Sequence, residues 1–273
     1  MRRRLRPVAG VVEAFGKALA DFFLPARCVV CGRTLSRAEQ YICCHCEADM
    51  PLTRYWLREK QPMAQRYNEA LLRLLGEAEP SARAAALFFY REEAGYKGIP
   101  QALKYEGRRA LGRYFGARLG GELARSPLFA DVDLIVPVPL HPWRRFRRGY
   151  NQAETLSQAV RDAYAAFREE LRPPTGAAAS EAPVVDGRLL RRVRATQTQT
   201  RLSGEEKLKN VAGAFRVDLR ALARLPFAPK HILIVDDVFT SGSTLSSAHA
   251  ALRTVFSPDT RISAAALAFV SDA

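Results

Sequence analysis

The sequence lacks any uninterrupted run of roughly 18 to 20 apolar residues, the length that a helix needs to cross a bilayer. Its arginine-rich N-terminus looks superficially like a signal peptide, but Glu13, Lys17 and Asp21 interrupt the apolar stretch and no small-residue cleavage site follows. We therefore expect a cytoplasmic protein. The apolar residues near helical spacing predict an amphipathic helix over residues 1–27 that docks on the protein itself or, alternatively, on an anionic membrane: Val8, Val12, Phe15, Leu19 and Phe22.

Several motifs of other protein classes are also missing. No Gly-Lys-Ser or Gly-Lys-Thr sequence marks a P-loop, and no G-x-G-x-x-G run opens a helix. The sequence has no internal repeats. These absences exclude a P-loop and a dinucleotide-binding fingerprint.

Cysteine is absent from all but one short segment, which holds all five cysteines of the chain. Cys28 and Cys31 form one C-x-x-C pair, and Cys43 and Cys46 form another after an eleven-residue loop. This spacing predicts a closed, structural Cys₄ zinc site over residues 28–50, with a Cys₃His site that uses His45 as the alternative. Disulfides are disfavoured because a cytoplasmic compartment is reducing. Such a ribbon either holds a loop in place or presents its arginines to nucleic acid.

Acidic residues are scarce relative to basic ones. The 28 Asp and Glu stand against 42 Lys and Arg, which gives a net charge of +14 over 273 residues. This field favours polyanions, such as nucleic acid, phosphorylated metabolites or acidic membrane, although an Arg-rich codon bias is another source of the charge. The apolar content of 48% is ordinary, and the length suffices for one large core and a small module.

Residues 232–244 carry the most informative pattern. Ile-Leu-Ile-Val predicts a strand buried on both faces of a parallel sheet, Asp236 and Asp237 follow at its expected end, and a Thr-Ser-Gly-Ser-Thr turn opens a helix. Ligands of open α/β sheets bind beyond the carboxyl ends of the strands, and such a turn offers N–H groups and hydroxyls to a phosphate. The carboxylates would repel that phosphate, so we expect them to hold ribose hydroxyls or to lie near Mg²⁺. The alternative is a plain turn whose Ser or Thr caps the helix.

The remaining segments complete an α/β, Rossmann-like parallel sheet. We predict a helical connector over 51–83 and the main domain over 84–273, with a disordered insert at 172–187. Within this domain the pattern predicts helices over 101–123 and 151–169, and we expect most positive charges of the first to face solvent. Strands are predicted at 84–90, 132–140, 213–217 and 261–269.

Two basic segments stand out beside these elements. The first is an arginine-rich loop from His141 to Gln152, whose guanidinium groups we expect to grip a diphosphate. Its aromatic residues, Trp143, Phe146 and Tyr150, are candidates for stacking nucleic-acid bases, although Trp143 equally suits a core. The second is the polar, basic stretch 188–212, which we predict to be a mobile lid over an anionic ligand.

The strand and turn of residues 232–244 resemble the phosphoribosyl pyrophosphate (PRPP) signature of type I phosphoribosyltransferases, with Ser241 where a second Thr is usual. The cysteine pairs and five further motifs occur in an order that looks like the ComF family (ComFC/GntX-like proteins). Lys207 and the 172–187 insert are further departures from that family. The five motifs are Leu-Lys-Tyr-Glu-Gly at 103–107, Val-Pro-Val-Pro-Leu at 136–140, Arg-Arg-Gly-Tyr-Asn-Gln at 147–152, Arg-Ala-Thr-Gln-Thr-Gln-Thr at 194–200 and Asn-Val-Ala-Gly-Ala-Phe at 210–215.

The resemblance implies a PRPP·Mg²⁺ site beside a structural zinc ribbon. It places the ribose on Asp236 and Asp237 and the diphosphate near Val138 to Arg148, with Arg147 and Arg148 stabilising the departing diphosphate. It also implies a role in DNA uptake or utilisation, with internalised single-stranded DNA and competence or helicase-type proteins as partners. The alternative is an active phosphoribosyltransferase with an unknown acceptor. The expected 5′-phosphate ligands are the residues of the turn: Thr240, Ser241, Gly242, Ser243 and Thr244.

Overall fold

The structure is a computed structural model that describes residues 26–79, 82–90, 95–105, 107–171, 181–193 and 213–271. The chain divides into two compact units between Met50 and Pro51. Residues 1–25 of the predicted amphipathic helix and residues 194–212 of the predicted lid lie outside the described ranges. No helix within the described ranges is long and apolar enough to cross a membrane.

The first unit contains a short helix, α1 (Cys44–Ala48), and two isolated antiparallel bridges. The second unit is built on a parallel sheet in the order β1-β7-β6-β2-β3, which confirms the predicted α/β class. Two further strands, β4 and β5, form a separate antiparallel pair. The strands are β1 (Ala84–Tyr90), β2 (Leu134–Pro137), β3 (Val184–Val185), β4 (Leu190–Arg192), β5 (Phe215–Val217), β6 (His231–Phe239) and β7 (Arg261–Val270).

The central strands are apolar because both of their faces are covered by other elements. Residues 262–269 of β7 have no exposed surface, and neither do residues 231–235 of β6. A strand buried on both faces reads as a continuous apolar run rather than as an alternating one. The helices of this unit are α2 (Pro62–Leu75), α3 (Gly98–Tyr105), α4 (Arg109–Arg125), α5 (Pro142–Arg148), α6 (Gln152–Glu170), α7 (Leu219–Leu222) and α8 (Ser243–Arg253).

Two predicted elements differ from the structure. The single helix expected over 101–123 is wrong, because the chain breaks between α3 and α4 at Gly107, whose φ of +64° is left-handed. The arginine-rich loop expected after β2 is mostly the helix α5. Pro142 is its first residue, the His141 side chain caps it, and Gly149 ends it with a φ of +73°.

The predicted disorder of the insert 172–187 is wrong for its last residues. Val184 and Val185 form β3, which pairs in parallel with Leu134 and Ile135 at the edge of the sheet. Two adjacent β-branched residues suit such an edge strand. Residues 172–180 of the insert lie outside the described ranges.

Residues 51–83, predicted to be a connector, belong to the same compact unit as the sheet. Backbone hydrogen bonds fix this segment along β1: the Thr53 N–H donates to the Leu87 carbonyl over 3.1 Å, and the Phe89 N–H donates to the Pro51 carbonyl over 2.9 Å. Helix α2 then packs against α8 and β1. The segment is therefore positioned to support the turn that precedes α8.

A His–Asp–Ser cluster, in which the histidine and the serine are buried, lies at the amino ends of β6 and β7. His231 Nδ1 is 2.7 Å from Asp131 Oδ1, and its Nε2 is 2.8 Å from Ser263 Oγ. The spacing resembles that of a catalytic triad, but Ser263 and His231 have no exposed surface, so no substrate reaches the hydroxyl. The cluster instead links β6 and β7 to the loop that precedes β2.

Helices α4 and α6 pack closely because glycines on α4 leave room for the α6 backbone. A Cβ added at Gly120 would lie 2.7 Å from Val160 Cα, whereas one added at Gly121 would meet only the flexible Arg125 Nη1 at 3.2 Å. We expect Gly120→Ala to lower the free energy of unfolding by about 1–3 kcal/mol through overpacking. Gly121→Ala, the matched control, should raise it by about 0.5–1 kcal/mol through helix propensity. Urea unfolding of both variants checks this, and equal stabilities would contradict the packing argument.

Candidate functional site

The predicted acid pair lies inside β6 rather than beyond its end. The strand continues to Phe239, because Val238 and Phe239 still pair with β7. Asp237 is buried with 8% of its surface exposed, and Asp236 is partly buried. Both carboxylates thus stand at the carboxyl edge of the sheet, next to the turn that follows.

The turn from Thr240 to Thr244 is shaped by Gly242. This residue has a φ of +77°, and a Cβ there would lie 2.7 Å from Phe239 Cζ, so only glycine fits without a shift. Gly242 is also the N-cap of α8, and no side chain makes the cap hydrogen bond. The alternative of a Ser or Thr cap is therefore wrong. The first amide groups of α8 remain available as donors at the positive end of the helix dipole.

A shallow, open depression lies between Asp236 and this turn, and its roughly 170 Å³ of empty space includes open solvent. Hydroxyl, carboxylate and backbone groups line it together with apolar side chains. Ser241 Oγ and Ser243 Oγ lie 3.1 Å apart beside it. The residues of its lining are Asp236, Val238, Phe239, Thr240, Gly242, Thr244 and Leu245.

Lys104 forms an ion pair with one member of the acid pair. Its Nζ is 3.3 Å from Asp237 Oδ2, and only 26% of its side chain is exposed. Lys104 is therefore an exception to the expectation that most positive charges of this region face solvent. Burial alone would lower the pKa of Lys104, but the charges of Asp237 and Asp236 outweigh burial and raise it. Lys104 therefore stays protonated at the edge of the sheet.

Asp236 carries an unusual carboxyl group. Burial and the neighbouring charge of Asp237 raise its pKa to about 7, although the Asp237 N–H donates to Asp236 Oδ1 over 2.8 Å and opposes the rise. Lys104 and Arg192 also act against this rise. The group consequently titrates near neutral pH, where a small change of environment alters its charge.

Three arginines, Arg144, Arg148 and Arg192, form a positively charged rim together with Lys104. Burial and the charge of Arg148 lower the pKa of Arg144, and burial and the charge of Arg144 lower the pKa of Arg192. The charge of Arg148 also acts on Lys104. Like charges held this close repel one another, and an anion bound among them would relieve the repulsion. The rim therefore favours a ligand with several negative charges.

The motif at 147–152 mainly holds this rim in place. Tyr150 OH and Gln152 Nε2 both donate to the Leu103 carbonyl, one residue before Lys104, and Asn151 Nδ2 donates to the Val138 carbonyl over 3.0 Å. The Val138 N–H already donates to the Val235 carbonyl over 2.9 Å. Val138 thus positions the loop, and its amide N–H is engaged within the protein.

Arg147 and Arg148 point in different directions. Arg148 Nη1 donates to Gln152 Oε1 over 3.1 Å, and its guanidinium carbon lies 5.8 Å from the centre of the Tyr105 ring. The guanidinium carbon of Arg147 lies 5.3 Å from the ring centre of Trp143, a residue that is 60% exposed. Trp143 is therefore not a core anchor, and Arg147 packs on its exposed ring rather than joining the rim.

Helix α2 supports the turn from behind. Arg66 Nη1 donates to the carbonyls of Thr240 and Val270, each over 2.9 Å. Tyr67 OH lies 2.8 Å from Nδ1 of His249 on α8. The sequence pattern did not single out Arg66. Arg144 lies in the arginine-rich segment that was expected to grip a diphosphate, and Arg192 lies in the stretch predicted to be a lid. Lys104 had a signal in its place in the Leu-Lys-Tyr-Glu-Gly motif.

The four predicted metal ligands of the first unit lie together. The sulfur atoms of Cys28, Cys31, Cys43 and Cys46 all fall within 4.8 Å of one another, and those of Cys31 and Cys43 are 3.7 Å apart. A tetrahedral zinc with bonds of about 2.3 Å requires sulfur–sulfur distances of roughly 3.8 Å. The cluster is therefore compatible with a structural zinc site that uses Cys46 rather than His45.

The backbone around the cluster is arranged for thiolate ligands. The Cys43 N–H donates to Cys28 Sγ over 3.4 Å. Between the two cysteine pairs, the Glu39 carboxylate accepts the N–H groups of Cys44 and Ser36, each over 2.7 Å. These backbone hydrogen bonds lower the pKa of Glu39 to about 2. The intervening loop is thus held closed by a carboxylate that stays ionised.

Comparison with known proteins gives a consistent set of relatives. The chain is 28% identical over 241 residues to competence protein F of Haemophilus influenzae, and the match covers 85% of this chain and 92% of that protein. It is 38% identical over 114 residues to the DNA utilization protein YhgH of Salmonella typhi, and 35% identical over 115 residues to YhgH of Escherichia coli. Each YhgH match covers 42% of this chain and 40% of the relative. No protein-family model matches the chain.

Proposed function

The chain is a member of the ComF family, and we propose that it serves DNA uptake or utilisation by binding PRPP with Mg²⁺ at the carboxyl edge of its parallel sheet. The names of its relatives, a competence protein and DNA utilization proteins, support the cellular role. One observation carries the ligand: an acid pair, a glycine-shaped hydroxyl turn and a cationic rim meet at this edge. A ribose with phosphates at both ends suits this arrangement, because its hydroxyls can bind the acids and its phosphates can bind the turn and the rim.

The 5′-phosphate would bind on the turn Thr240–Thr244. The uncapped amide groups at the start of α8 supply N–H donors, and the helix dipole favours a negative charge there. Ser241 and Ser243 add hydroxyl groups that lie 3.1 Å apart. Arg66 fixes the Thr240 carbonyl from behind and so keeps the turn in one geometry.

The ribose and the metal would lie on the acid pair. Ionised carboxylates accept hydrogen bonds from ribose hydroxyls, and they are ligands that Mg²⁺ prefers. Asp236 lines the depression next to the turn, so a sugar whose phosphate occupies the turn lies beside it. When bound, the metal would neutralise charge on the diphosphate.

The diphosphate would lie among the cations of the rim. Lys104 approaches Asp237, whereas the charge of Arg192 acts on Asp236. Arg144 and Arg148 on α5 stand close enough to affect the pKa values of Arg192 and Lys104, respectively. We assign diphosphate binding to this group rather than to Arg147, because Arg147 packs on the exposed Trp143.

This site predicts a pH-dependent affinity. The pKa of Asp236 is raised to about 7, so the carboxyl group is neutral below that pH and ionised above it. Ribose hydroxyls and Mg²⁺ both require the ionised form. We expect the affinity for PRPP·Mg²⁺ to rise by up to about tenfold per pH unit below pH 7 and to level off above pH 8.

Calorimetric titration with PRPP at several pH values, each with saturating Mg²⁺, measures this dependence. PRPP itself ionises in the same pH range. Asp236→Asn is therefore the control, because it removes the contribution of Asp236 to the pH dependence and keeps the contribution of PRPP. A wild-type profile that follows the Asp236→Asn profile at every pH would contradict the assignment of this titration to Asp236.

A further inference from the structure

Helix α5 exposes two large aromatic side chains among arginines. Four of its seven residues are arginine and none is acidic. Trp143 is 60% exposed and Phe146 is 89% exposed. Soluble proteins seldom leave two neighbouring aromatic rings in water, and a patch of this kind marks an interaction surface.

The helix presents two different stripes. Arg144 and Arg148 are four residues apart and therefore share one side, which faces Tyr105 and the cationic rim. Trp143 and Arg147 are also four residues apart and share another side, where the guanidinium stacks on the indole ring. Phe146 is three residues from Trp143 and extends this outer stripe.

The outer stripe is held on a well-fixed helix. Pro142 and the His141 side chain set the start of α5, and the Gly149 N–H closes its end on the Arg145 carbonyl over 2.8 Å. Arg109 Nη2 then donates to the Gly149 carbonyl over 2.9 Å. A ligand that stacks on Trp143 and Phe146 thus meets rings whose backbone is already ordered, which lowers the entropic cost of binding.

We propose that the outer stripe of α5, formed by Trp143, Phe146 and Arg147, binds single-stranded nucleic acid by stacking its bases. Flat rings interleaved with guanidinium groups match the alternation of bases and phosphates in a single strand. The net charge of +14 favours a polyanion over an apolar protein, and it disfavours a second copy of this chain. The inference rests on the DNA-handling part of the proposed function, and the PRPP site does not depend on it.

Fluorescence anisotropy with a labelled oligothymidylate of about 20 nucleotides tests the stacking surface. The protein is the full-length, zinc-replete chain, compared with Trp143→Ala and Phe146→Ala. Each variant should bind about 5- to 100-fold more weakly than the wild type, because stacking on one ring contributes that much per base. Leu219→Ala is the matched control, since Leu219 is 67% exposed but lies on α7. Trp143→Phe, which keeps a ring, should restore most of the affinity.

Two further readouts separate stacking from charge attraction. The salt dependence of binding should keep its slope in the aromatic variants, whereas Arg147→Ala should reduce the slope by about 0.7. Oligothymidylate should quench the emission of Trp143, and the remaining emission of Trp143→Ala should not respond, because the other tryptophan, Trp56, is only 3% exposed.

Three results would overturn the proposal. The first is that Trp143→Ala and Phe146→Ala bind oligothymidylate with wild-type affinity. The second is that the wild type does not bind oligothymidylate. The third is that these variants lose binding to anionic lipid vesicles but keep their binding to oligothymidylate. PRPP titration of the aromatic variants separates the two proposals, since they should keep the wild-type PRPP affinity. If neither the wild type nor the aromatic variants bind PRPP, but the variants bind oligothymidylate more weakly than the wild type, only the PRPP proposal fails.

Discussion

The double variant Asp236→Asn/Asp237→Asn should bind PRPP·Mg²⁺ at least about 100-fold more weakly than the wild type. Each carboxylate is expected to accept a charge-assisted hydrogen bond or to hold the metal, and each such interaction contributes about 1.5–3 kcal/mol. The amide group of asparagine has nearly the same shape but carries no negative charge. The loss therefore reports the charge of the acid pair rather than its volume.

The double variant should remain folded, because burying two neighbouring carboxylates is electrostatically unfavourable and the substitution removes both charges. Burial and the charge of Asp237 raise the pKa of Asp236, which means that the ionised form is disfavoured in the folded protein. An amide at position 237 can still accept a hydrogen bond from Lys104, which now lies 3.3 Å from the carboxylate oxygen. Circular dichroism and thermal unfolding would check that the fold persists.

Asp259→Asn is the matched control for this experiment. Asp259 lies in the exposed turn before β7, where it accepts a hydrogen bond from Ser257. We expect its PRPP affinity to equal that of the wild type. Unchanged affinity in the double variant, with the fold intact, would remove Asp236 and Asp237 from the site.

Replacing Cys28 with serine should release zinc and unfold the first unit. A structural zinc contributes apparent folding energies of about 10–16 kcal/mol in small domains, and few other contacts hold a segment this short. The sheet unit has its own buried core and should stay folded. Zinc content and amide hydrogen exchange of the two units measure the two effects separately.

Cys44→Ser offers a control from the same segment. Cys44 is exposed and lies outside the four-sulfur cluster, so its replacement should leave the zinc content unchanged. Cys46→Ser should lose zinc, and His45→Ala should keep it. Full zinc retention by Cys28→Ser, or loss from His45→Ala but not from Cys46→Ser, would contradict the Cys₄ assignment.

The sequence was sufficient to predict those features that depend on local pattern. Continuous apolar runs identified the buried strands, and the C-x-x-C spacing identified the four sulfur atoms that the structure brings together. The turn at Gly242 was recognised from its small hydroxyl residues. All of these signals lie within a few consecutive residues.

The features that sequence did not predict depend on distant contacts. Lys104 resembles any lysine on an amphipathic helix, and only the packing of α3 brings it to Asp237. Arg66 reaches the site from α2, which neither periodicity nor a motif connects to β6, and Arg192, expected in a mobile lid, reaches it from the strand β4. Helix α5 was predicted to be a loop, because its four arginines give no apolar helical pattern and the capping signals of Pro142 and Gly149 were not recognised.

Calorimetric titration of the zinc-replete protein with PRPP and Mg²⁺ tests whether the carboxyl edge of the sheet binds PRPP. We expect saturable binding with one PRPP per chain, weaker when Mg²⁺ is withheld. No heat and no protection from thermal unfolding at millimolar PRPP would contradict it, and the edge at Asp236 and Asp237 would then have to serve another ligand.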